Sequence, residues 1–172
     1  MEYFDIYDKD GVFTGKKVMH DYVLQKGEYR GLAHLCIFNS KGQMLIQKRG
    51  VDKIDWPGCW DISCGGGVNS GETTFQAAKR ECKEELGIDV DFDSRPIFRA
   101  FYPKGFDDYY TVYLDLALEE LLVRQGEVLG VEWAELEEIL SMMKNGKFVN
   151  YNPGFIELLF SMSKNRGTYL KK

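Results

Sequence analysis

Residues 66–88 read GGVNSGETTFQAAKRECKEELGI, a glycine-rich loop followed by a stretch with a helical pattern. Glu81, Glu84 and Glu85 are spaced i, i+3 and i+4, which places three carboxylates on one face of a helix. Like charges at this spacing repel one another and weaken a helix that binds nothing. Mg²⁺ or Mn²⁺ would remove the repulsion, because these ions prefer carboxylate and phosphate oxygens. The stretch therefore predicts a metal site that faces a phosphate.

The other residues of this stretch fit such a helix. Ala77 and Ala78 are predicted to lie beside the acids, where small side chains leave room for a hydrated ion and its ligand. Ser70 is the predicted N-cap, and Gly87 is placed to end the helix. A stripe of apolar side chains is predicted to pack on the core, formed by Phe75, Cys82 and Leu86. The alternative is a solvated acidic helix with ordinary caps, which does not explain why all these features coincide.

The same stretch resembles the Nudix box. That signature is Gly, five residues, Glu, seven residues, and then Arg-Glu-U-x-Glu-Glu-x-Gly-U, where U is a bulky aliphatic residue. Cys82 occupies the first U position, where a buried cysteine packs like a small apolar residue. The matching residues are Gly66, Glu72, Arg80, Glu81, Glu84, Glu85, Gly87 and Ile88. The resemblance implies hydrolysis of a small-molecule diphosphate, a nucleoside diphosphate linked to another group, by attack of water on phosphorus.

The fold class follows from the order of the predicted elements. Two β-rich runs, 32–39 and 43–48, flank a turn, and a short strand at 61–64 leads into the glycine loop. Strands are predicted at 95–102, 109–118 and 131–133, with a turn at 103–108 and helices at about 134–145 and 153–163. A mixed sheet flanked by helices follows. This order matches the α/β fold that the resemblance implies, an α/β/α sandwich with a mixed β-sheet between helices.

Length and composition limit the remaining questions. The 172 residues suit one domain spanning 1–172, with a β-hairpin extension at about 1–28 around Asp10 and Gly11. The net charge of −5 argues against nucleic acid as the partner. The 4 cysteines and 2 histidines lack zinc-site spacing. No run resembles a signal peptide or a membrane span, so we expect a cytoplasmic protein without membrane contact. A homodimer is left open.

The stretch before the box resembles the branch that includes isopentenyl diphosphate isomerase and its hydrolase relatives. The isomerase needs an active-site cysteine at the position of Gly65, and Cys64 lies one residue earlier, on the opposite face of a strand. Arg30 and Gly67 stand where the isomerase has histidine ligands. These differences favour the hydrolase over an isomerase-like enzyme, and the intact acids favour it over a non-catalytic module that senses nucleotides. The resemblance is carried by Phe38, Asn39, Gly42, Leu45, Gln47, Arg49, Trp56, Pro57, Gly58, Trp60, Asp61 and Ser63.

The resemblance also implies roles for the residues of the box. Glu84 and Glu85 are the first-choice ligands of Mg²⁺ or Mn²⁺, and Glu81 is either a ligand or the general base. The backbone carbonyl at Gly66 can supply another oxygen, since glycine lets the backbone approach closely. Arg80, the remaining catalytic candidate beside Glu81 and Glu84, is expected to orient the acids through a salt bridge, with contact to the substrate as the alternative. Glu72 has two open roles, interaction with the helix dipole and contact with the metal.

Further candidate residues lie outside the box. Some family members place the base on a loop, and the candidates here are Asp107 and Asp108 in the predicted strand connection and Glu127 in a turn. Arg49 and Lys53 are candidate phosphate ligands, with surface solvation as the alternative. Candidates for stacking on a base are Tyr109, Trp56 and Trp60; for the two tryptophans packing is the favoured role.

Overall fold

A computed structural model of the chain describes residues 2–164 and 169. Its elements in order are β1 (Tyr3–Tyr7), β2 (Phe13–Met19), β3 (Arg30–Phe38), β4 (Met44–Arg49), β5 (Trp60–Ile62), β6 (Cys64–Gly67), α1 (Thr74–Leu86), β7 (Phe98–Tyr102), β8 (Gly105–Tyr113), a 3₁₀ turn (Leu118–Glu120), β9 (Val128–Ala134), α2 (Leu136–Lys144) and α3 (Pro153–Lys164).

A mixed sheet forms the middle layer. Strand β3 runs parallel to β8 along its whole length, from Arg30 opposite Gly105 to Phe38 opposite Tyr113. The other edge of β3 is shared: its first half pairs with β6, and its end pairs with β4. Strand β4 continues to β5 and β9, while β7 pairs with β8. The sheet therefore divides beside the middle of β3, where β4 and β6 separate.

Helices cover both faces of this sheet. Helix α1 packs on one face through a core that includes Leu35, Leu45 and Leu86. Helices α2 and α3 pack on the other face around Phe38 and Ile156. Successive side chains of β3 lie alternately in the two cores, as expected for a strand buried on both faces. The predicted α/β/α sandwich is confirmed.

Helix α1 begins later than predicted. Its N-cap is Thr73, whose hydroxyl oxygen accepts the Gln76 backbone N–H, while the Gln76 side chain accepts the Thr73 N–H. The prediction of Ser70 as N-cap is therefore wrong, because this reciprocal pair satisfies two end groups of the helix at once. Gly87 ends the helix in the left-handed conformation, with φ of 74°. That prediction is confirmed.

The two alanines of α1 have another role than the predicted one. Ala77 and Ala78 are completely buried in the core between α1 and the sheet. Their small side chains let the helix approach the strands closely, so they do not provide space for an ion. The expectation that they leave room for metal and ligand is wrong.

Several strand boundaries also differ from the sequence prediction: the strands expected at 95–102, 109–118 and 131–133 span Phe98–Tyr102, Gly105–Tyr113 and Val128–Ala134. The strand expected at 61–64 is split at Ser63 into β5 and β6, because the first part pairs with β4 and the second with β3. Only Pro103 and Lys104 connect β7 to β8, so Asp107 and Asp108 lie within a strand and not in a loop. Both carboxylates have partners on neighbouring elements, which makes their burial tolerable.

The predicted N-terminal hairpin is present. Strands β1 and β2 form a separate two-stranded antiparallel sheet with its own small core of Phe4, Ile6 and Val18. Isolated bridges link it to the rest of the molecule, between Phe4 and Asn69 and between Tyr7 and Tyr29. The hairpin therefore lies beside the loop that precedes α1.

Candidate active site

Arg80 is the centre of the hydrogen bonds around the acids of α1. Its Nε donates to Glu72 Oε1 at 2.9 Å, and its two terminal nitrogens donate to Glu81 Oε1 at 2.7 Å and to the Gly67 carbonyl at 2.8 Å. Glu84 lies 3.5 Å away. Burial lowers the pKa of the guanidinium, but Glu72 and Glu81 outweigh it and the pKa rises above its ordinary value. Arg80 thus fixes the loop, the helix and two acids relative to one another.

Glu85 is the most buried of the three acids, with 6% of its surface exposed. Its Oε2 accepts hydrogen bonds from Gln47 Nε2 at 2.9 Å and from the Gly65 backbone N–H at 3.1 Å. Gln47 is on β4 and Gly65 on β6, so the carboxylate fills the gap where these strands separate. Burial raises the pKa of Glu85 to about 7, although both hydrogen bonds oppose the rise.

Glu81 lies directly against the backbone of β6. A methyl group built at Gly66 would lie 2.6 Å from the carboxyl carbon of Glu81, so only glycine allows this approach. Burial raises the pKa of Glu81, and the Arg80 guanidinium opposes the rise. Glu84 is the open member of the set, with 40% of its side chain exposed and Arg124 at 3.5 Å. We call the surface formed by Glu81, Glu84 and Glu85 the acidic face.

A second group of charges lies next to the acidic face. Lys53 Nζ donates to Glu127 Oε2 at 2.8 Å, and Arg124 Nε lies 3.1 Å from Glu127 Oε1. The backbone supports the pair, since the Gly50 N–H donates to the Glu127 carbonyl at 2.7 Å. The negative charge of Glu127 contributes to the raised pKa of Glu81, which places the pair within electrostatic reach of the acidic face.

The donors of the acidic face fit a hard divalent cation. Carboxylate oxygens and a backbone carbonyl are the ligands that Mg²⁺ and Mn²⁺ prefer. Within residues 2–164 and 169, no three acidic, histidine or cysteine side chains already form a metal cage. The reason lies in the partners of the acids: Glu81 is bonded to Arg80, and Glu85 is turned toward Gln47. Arg80 and Gln47 are thus the groups that a bound ion would compete with for these carboxylates.

Two predicted substrate ligands do not reach the acidic face. Arg49 donates to Asp61 Oδ2 at 2.9 Å and to the Asp55 carbonyl at 3.0 Å, which uses its guanidinium to hold the loop after β4. Tyr109 is 4% exposed, and its hydroxyl donates to Asp107 Oδ2 at 2.6 Å. A ring so deeply packed cannot stack on a nucleotide base in this arrangement. Lys53, in contrast, pairs with Glu127 within electrostatic reach of Glu85, and its role as a phosphate ligand stays a prediction.

The alternative bases are separated in the same way. Asp107 accepts from Tyr109 and pairs with His34 Nδ1 at 2.8 Å, and Asp108 is held by Arg99 at 2.7 Å. Both aspartates are buried in β8. Of the three candidates, the structure brings only Glu127 next to the acidic face.

The two tryptophans before β6 differ in exposure. Trp56 is 46% exposed in the loop that carries Lys53, with a φ of 54°, while Trp60 packs against the core under α2 and α3. The packing role favoured for Trp60 is confirmed, and the packing role of Trp56 stays a prediction.

Sequence reasoning gave no role to three residues near the site. Gln47 belongs to the motif before the box, yet its hydrogen bond to Glu85 joins β4 to α1 across 38 residues. Arg124 has only one local signal, its i, i+3 spacing from Glu127. His34 has none, because its partner Asp107 is 73 residues away. Contacts between distant segments decide all three.

The model of the NUDIX domain family matches residues 28–158. The chain belongs to the Nudix family. This assignment confirms the resemblance of the box and makes the protein a pyrophosphohydrolase-type enzyme. The part of the hairpin extension before residue 28 lies outside the matched range.

Two relatives show how far the likeness extends. An uncharacterised Nudix hydrolase of Listeria monocytogenes is 40% identical over 169 residues, covering 98% of each chain. An isopentenyl-diphosphate Delta-isomerase of Klebsiella pneumoniae is 35% identical over 120 residues, covering 65% of each chain. The first likeness spans the hairpin as well as the Nudix domain.

A solved structure shares the fold at lower sequence identity. The crystal structure of DR0079 from Deinococcus radiodurans matches with a TM-score of 0.75 and 22% identity, covering 91% of this chain and 98% of that chain. Among the described residues of the Nudix protein, no helix is long and apolar enough to cross a membrane.

Proposed function

We propose that this Nudix enzyme is a Mg²⁺- or Mn²⁺-dependent hydrolase that cleaves the diphosphate bond of a nucleoside diphosphate linked to another group. The acidic face carries the proposal. Glu81 and Glu85 are held against the two backbone residues Gly66 and Gly65, and Glu84 is exposed beside them. A surface of this composition attracts a hard cation and not an anion, so a cation is needed before a diphosphate can bind there.

The chain's own groups divide into ligands and supports. The carboxylates of Glu81, Glu84 and Glu85 and the carbonyl of Gly66 would hold the ion. When bound, the ion would neutralise charge on the diphosphate and lower the pKa of water. Arg80 keeps the loop carbonyl and the helix carboxylates in register, since it contacts both sides. Its role is to position the ligands.

Two cations at the edge of the acidic face are suited to the phosphates. Lys53 and Arg124 both pair with Glu127, and Arg124 also lies 3.5 Å from Glu84. An anionic substrate would compete with Glu127 for these cations and release its carboxylate. We therefore take Glu127 and Glu81 as the two candidate bases for the attacking water.

The likeness to an isopentenyl-diphosphate isomerase suggests isomerisation as a second candidate activity. The thiol of Cys64 is completely buried in the core under α1, and its Sγ faces the Leu35 carbonyl at 3.8 Å. The neighbouring Cys82 thiol and burial both raise the pKa of Cys64 well above its ordinary value, which leaves the thiol inert. Gly65, in the cysteine's place, faces His34 on the other side. These positions support the hydrolase.

A substrate panel with one matched pair of variants tests the proposal. Nucleoside diphosphates, triphosphates, diphosphate sugars and dinucleotide cofactors are incubated with Mg²⁺, and the products are identified. Glu84→Gln keeps the size of an exposed side chain and removes its charge, so turnover should fall about a hundredfold or more while the melting temperature changes little. Glu137→Gln makes the same change on α2 and should leave turnover unaltered. Full activity of Glu84→Gln at low Mg²⁺ would overturn the metal assignment.

The same assay separates the two candidate bases. Removal of the base should lower kcat and abolish the acidic limb of the pH–rate profile, whereas removal of a metal ligand should raise the Mg²⁺ requirement. Glu127→Gln and Glu81→Gln are compared on these two readouts. Deuterium uptake into isopentenyl diphosphate by the wild-type protein would instead identify an isomerase.

A further inference from the structure

A cavity of about 550 Å³ lies away from the acidic face, between the segment that follows β2 and the β7–β8 turn. Residues 22–27 supply most of one wall, and they precede the range matched by the NUDIX family model. Pro103 and Lys104 close the opposite side. Arg30, the first residue of β3, forms part of the lining. The hairpin extension therefore builds this cavity onto the Nudix domain.

Two buried polar atoms beside this cavity form no hydrogen bond of good geometry. One is Nε of Arg30, which lines the cavity; the other is the hydroxyl of Tyr102, which lines the neighbouring cavity and lies close enough to Arg30 for the guanidinium to oppose the rise of its pKa. Arg30 and Tyr102 lie in one row across the sheet with Gly105 between them, so no side chain separates the two groups. The guanidinium lies 5.7 Å from the Phe4 ring centre, a contact that does not replace a hydrogen bond. Buried donors of this kind are rare in proteins, and each requires a partner.

The charge of the cavity favours an anion. Lys26, Arg30 and Lys104 line it, and neither lysine forms an ion pair with any described residue. Glu28 is the acid in the lining, and its carboxylate is bound by Lys16 Nζ at 2.6 Å. A guanidinium with a free donor is well suited to a phosphate or carboxylate.

A row of residues on one side of β3 leads from the cavity toward the backbone that holds Glu85. Arg30 and His34 lie four residues apart on the same face of the strand, roughly 13 Å at the usual rise per residue. His34 pairs with Asp107. Burial raises the pKa of Tyr102, the Arg30 guanidinium opposes the rise and Asp107 adds to it, so the three groups lie within electrostatic reach of one another. On β6, the residue opposite His34 is Gly65, whose backbone N–H donates a hydrogen bond to Glu85 Oε2.

We propose that this cavity binds a phosphate or carboxylate group carried by the substrate beyond the diphosphate that is cleaved, with Arg30 as the anchoring residue. The anion would accept the unpaired donor of Arg30 and be surrounded by Lys26 and Lys104. The identification of the anion as part of the substrate rests on the proposed function. The existence of an anion site in this cavity is independent of that function.

The site itself is tested with inorganic phosphate and no metal. In EDTA, phosphate should raise the melting temperature of the wild-type protein more than chloride at equal ionic strength, because it binds the folded state. Arg30→Met should fold as well as wild type, since it removes an unpaired buried donor, and should lose most of the phosphate effect. Lys104→Met should lose part of it, and Lys144→Met on α2 should keep it. No phosphate effect in wild type, or an equal effect in Arg30→Met, would overturn the site.

The ligand is tested by kinetics on the substrate panel. Wild type should favour substrates that carry a phosphate or carboxylate beyond the cleaved diphosphate. For these, Arg30→Met should raise KM about tenfold with little change in kcat, as expected for loss of one charged hydrogen bond, and leave other substrates unaffected. No preference in wild type, or an equal change for both classes, would overturn the assignment to the substrate. If no compound is cleaved, the proposed function fails while the phosphate titration still decides the site.

Discussion

Arg80 changes the electrostatics that the spacing of Glu81, Glu84 and Glu85 predicts. Three bare carboxylates would repel one another, but Glu81 is bonded to Arg80, and Glu84 lies 3.5 Å from both Arg80 and Arg124. Glu85 has no such cation within bonding distance among the described residues, and its burial is the main cost. The two arginines therefore relieve most of the repulsion, and the unfavourable charge is concentrated on Glu85.

The stability of the metal-free protein should depend on the ionisation of Glu85. Burial raises its pKa from the ordinary 4.5 to about 7, so the fold favours the protonated form. The contribution is fully present below pH 4.5 and is lost as the pH rises through 7, a change of about 3 kcal/mol. In EDTA, the unfolding free energy of wild type minus that of Glu85→Gln should fall by this amount across the window. Urea titrations measure it, and a difference that does not vary with pH would contradict the assignment.

The glycines of β6 have separate tasks that two substitutions can distinguish. A methyl group at Gly66 would meet the movable carboxylate of Glu81, whereas one at Gly65 would lie 2.7 Å from the Ala33 carbonyl oxygen of the backbone. Gly66→Ala should thus fold within about 1 kcal/mol of wild type and lose about a hundredfold in kcat/KM, because Glu81 is displaced. Gly65→Ala should lose about 2 kcal/mol or more of stability.

Unfolding curves and kinetics on both variants give the result. The comparison is informative because the two residues are adjacent in one strand. A Gly66→Ala enzyme with wild-type activity would show that the approach of Glu81 to the loop is unimportant for turnover.

The start of α1 offers a test of local capping. Thr73 and Gln76 form a reciprocal capping box, a signature that is visible in the sequence but competes with Ser70 as an alternative cap. Thr73→Ala should cost about 1 kcal/mol of unfolding free energy, and Ser70→Ala should stay within about 0.5 kcal/mol of wild type. Denaturation of the two variants measures the difference. The reverse order would place the helix start at the earlier residue.

The two helix ends show what local sequence decides. Gly87 was predicted to end the helix because glycine readily adopts the left-handed conformation that helix ends often require. The structure confirms it as the C-cap residue. The N-terminus was equally open to prediction: residues 70–74 contain three hydroxyl side chains, and only Thr73 has a glutamine or glutamate three residues later, as a capping box requires.

At the scale of the whole molecule, the box and the sandwich were predictable and the surroundings of the site were not. The acids lie within one helix, so their spacing defines a face without knowledge of the fold. The pair of Lys53 and Glu127 joins segments 74 residues apart, and the burial of Tyr109 follows from its place in β8. Such contacts depend on which strands become neighbours, which composition and periodicity do not specify.

The ion should couple to the stability of the whole protein. Only the folded state brings Glu81, Glu84 and Glu85 to one surface, so Mg²⁺ or Mn²⁺ should raise the melting temperature, with a gain of about 2.7 kcal/mol at a hundredfold excess over Kd. Glu84→Gln should gain less, and Glu137→Gln should gain as much as wild type. Chelation should end activity without unfolding, because the packed residues of both cores are apolar and do not depend on the ion. Calorimetric scans with and without EDTA measure these effects. Equal gains for Glu84→Gln and wild type would place the ion elsewhere on the molecule.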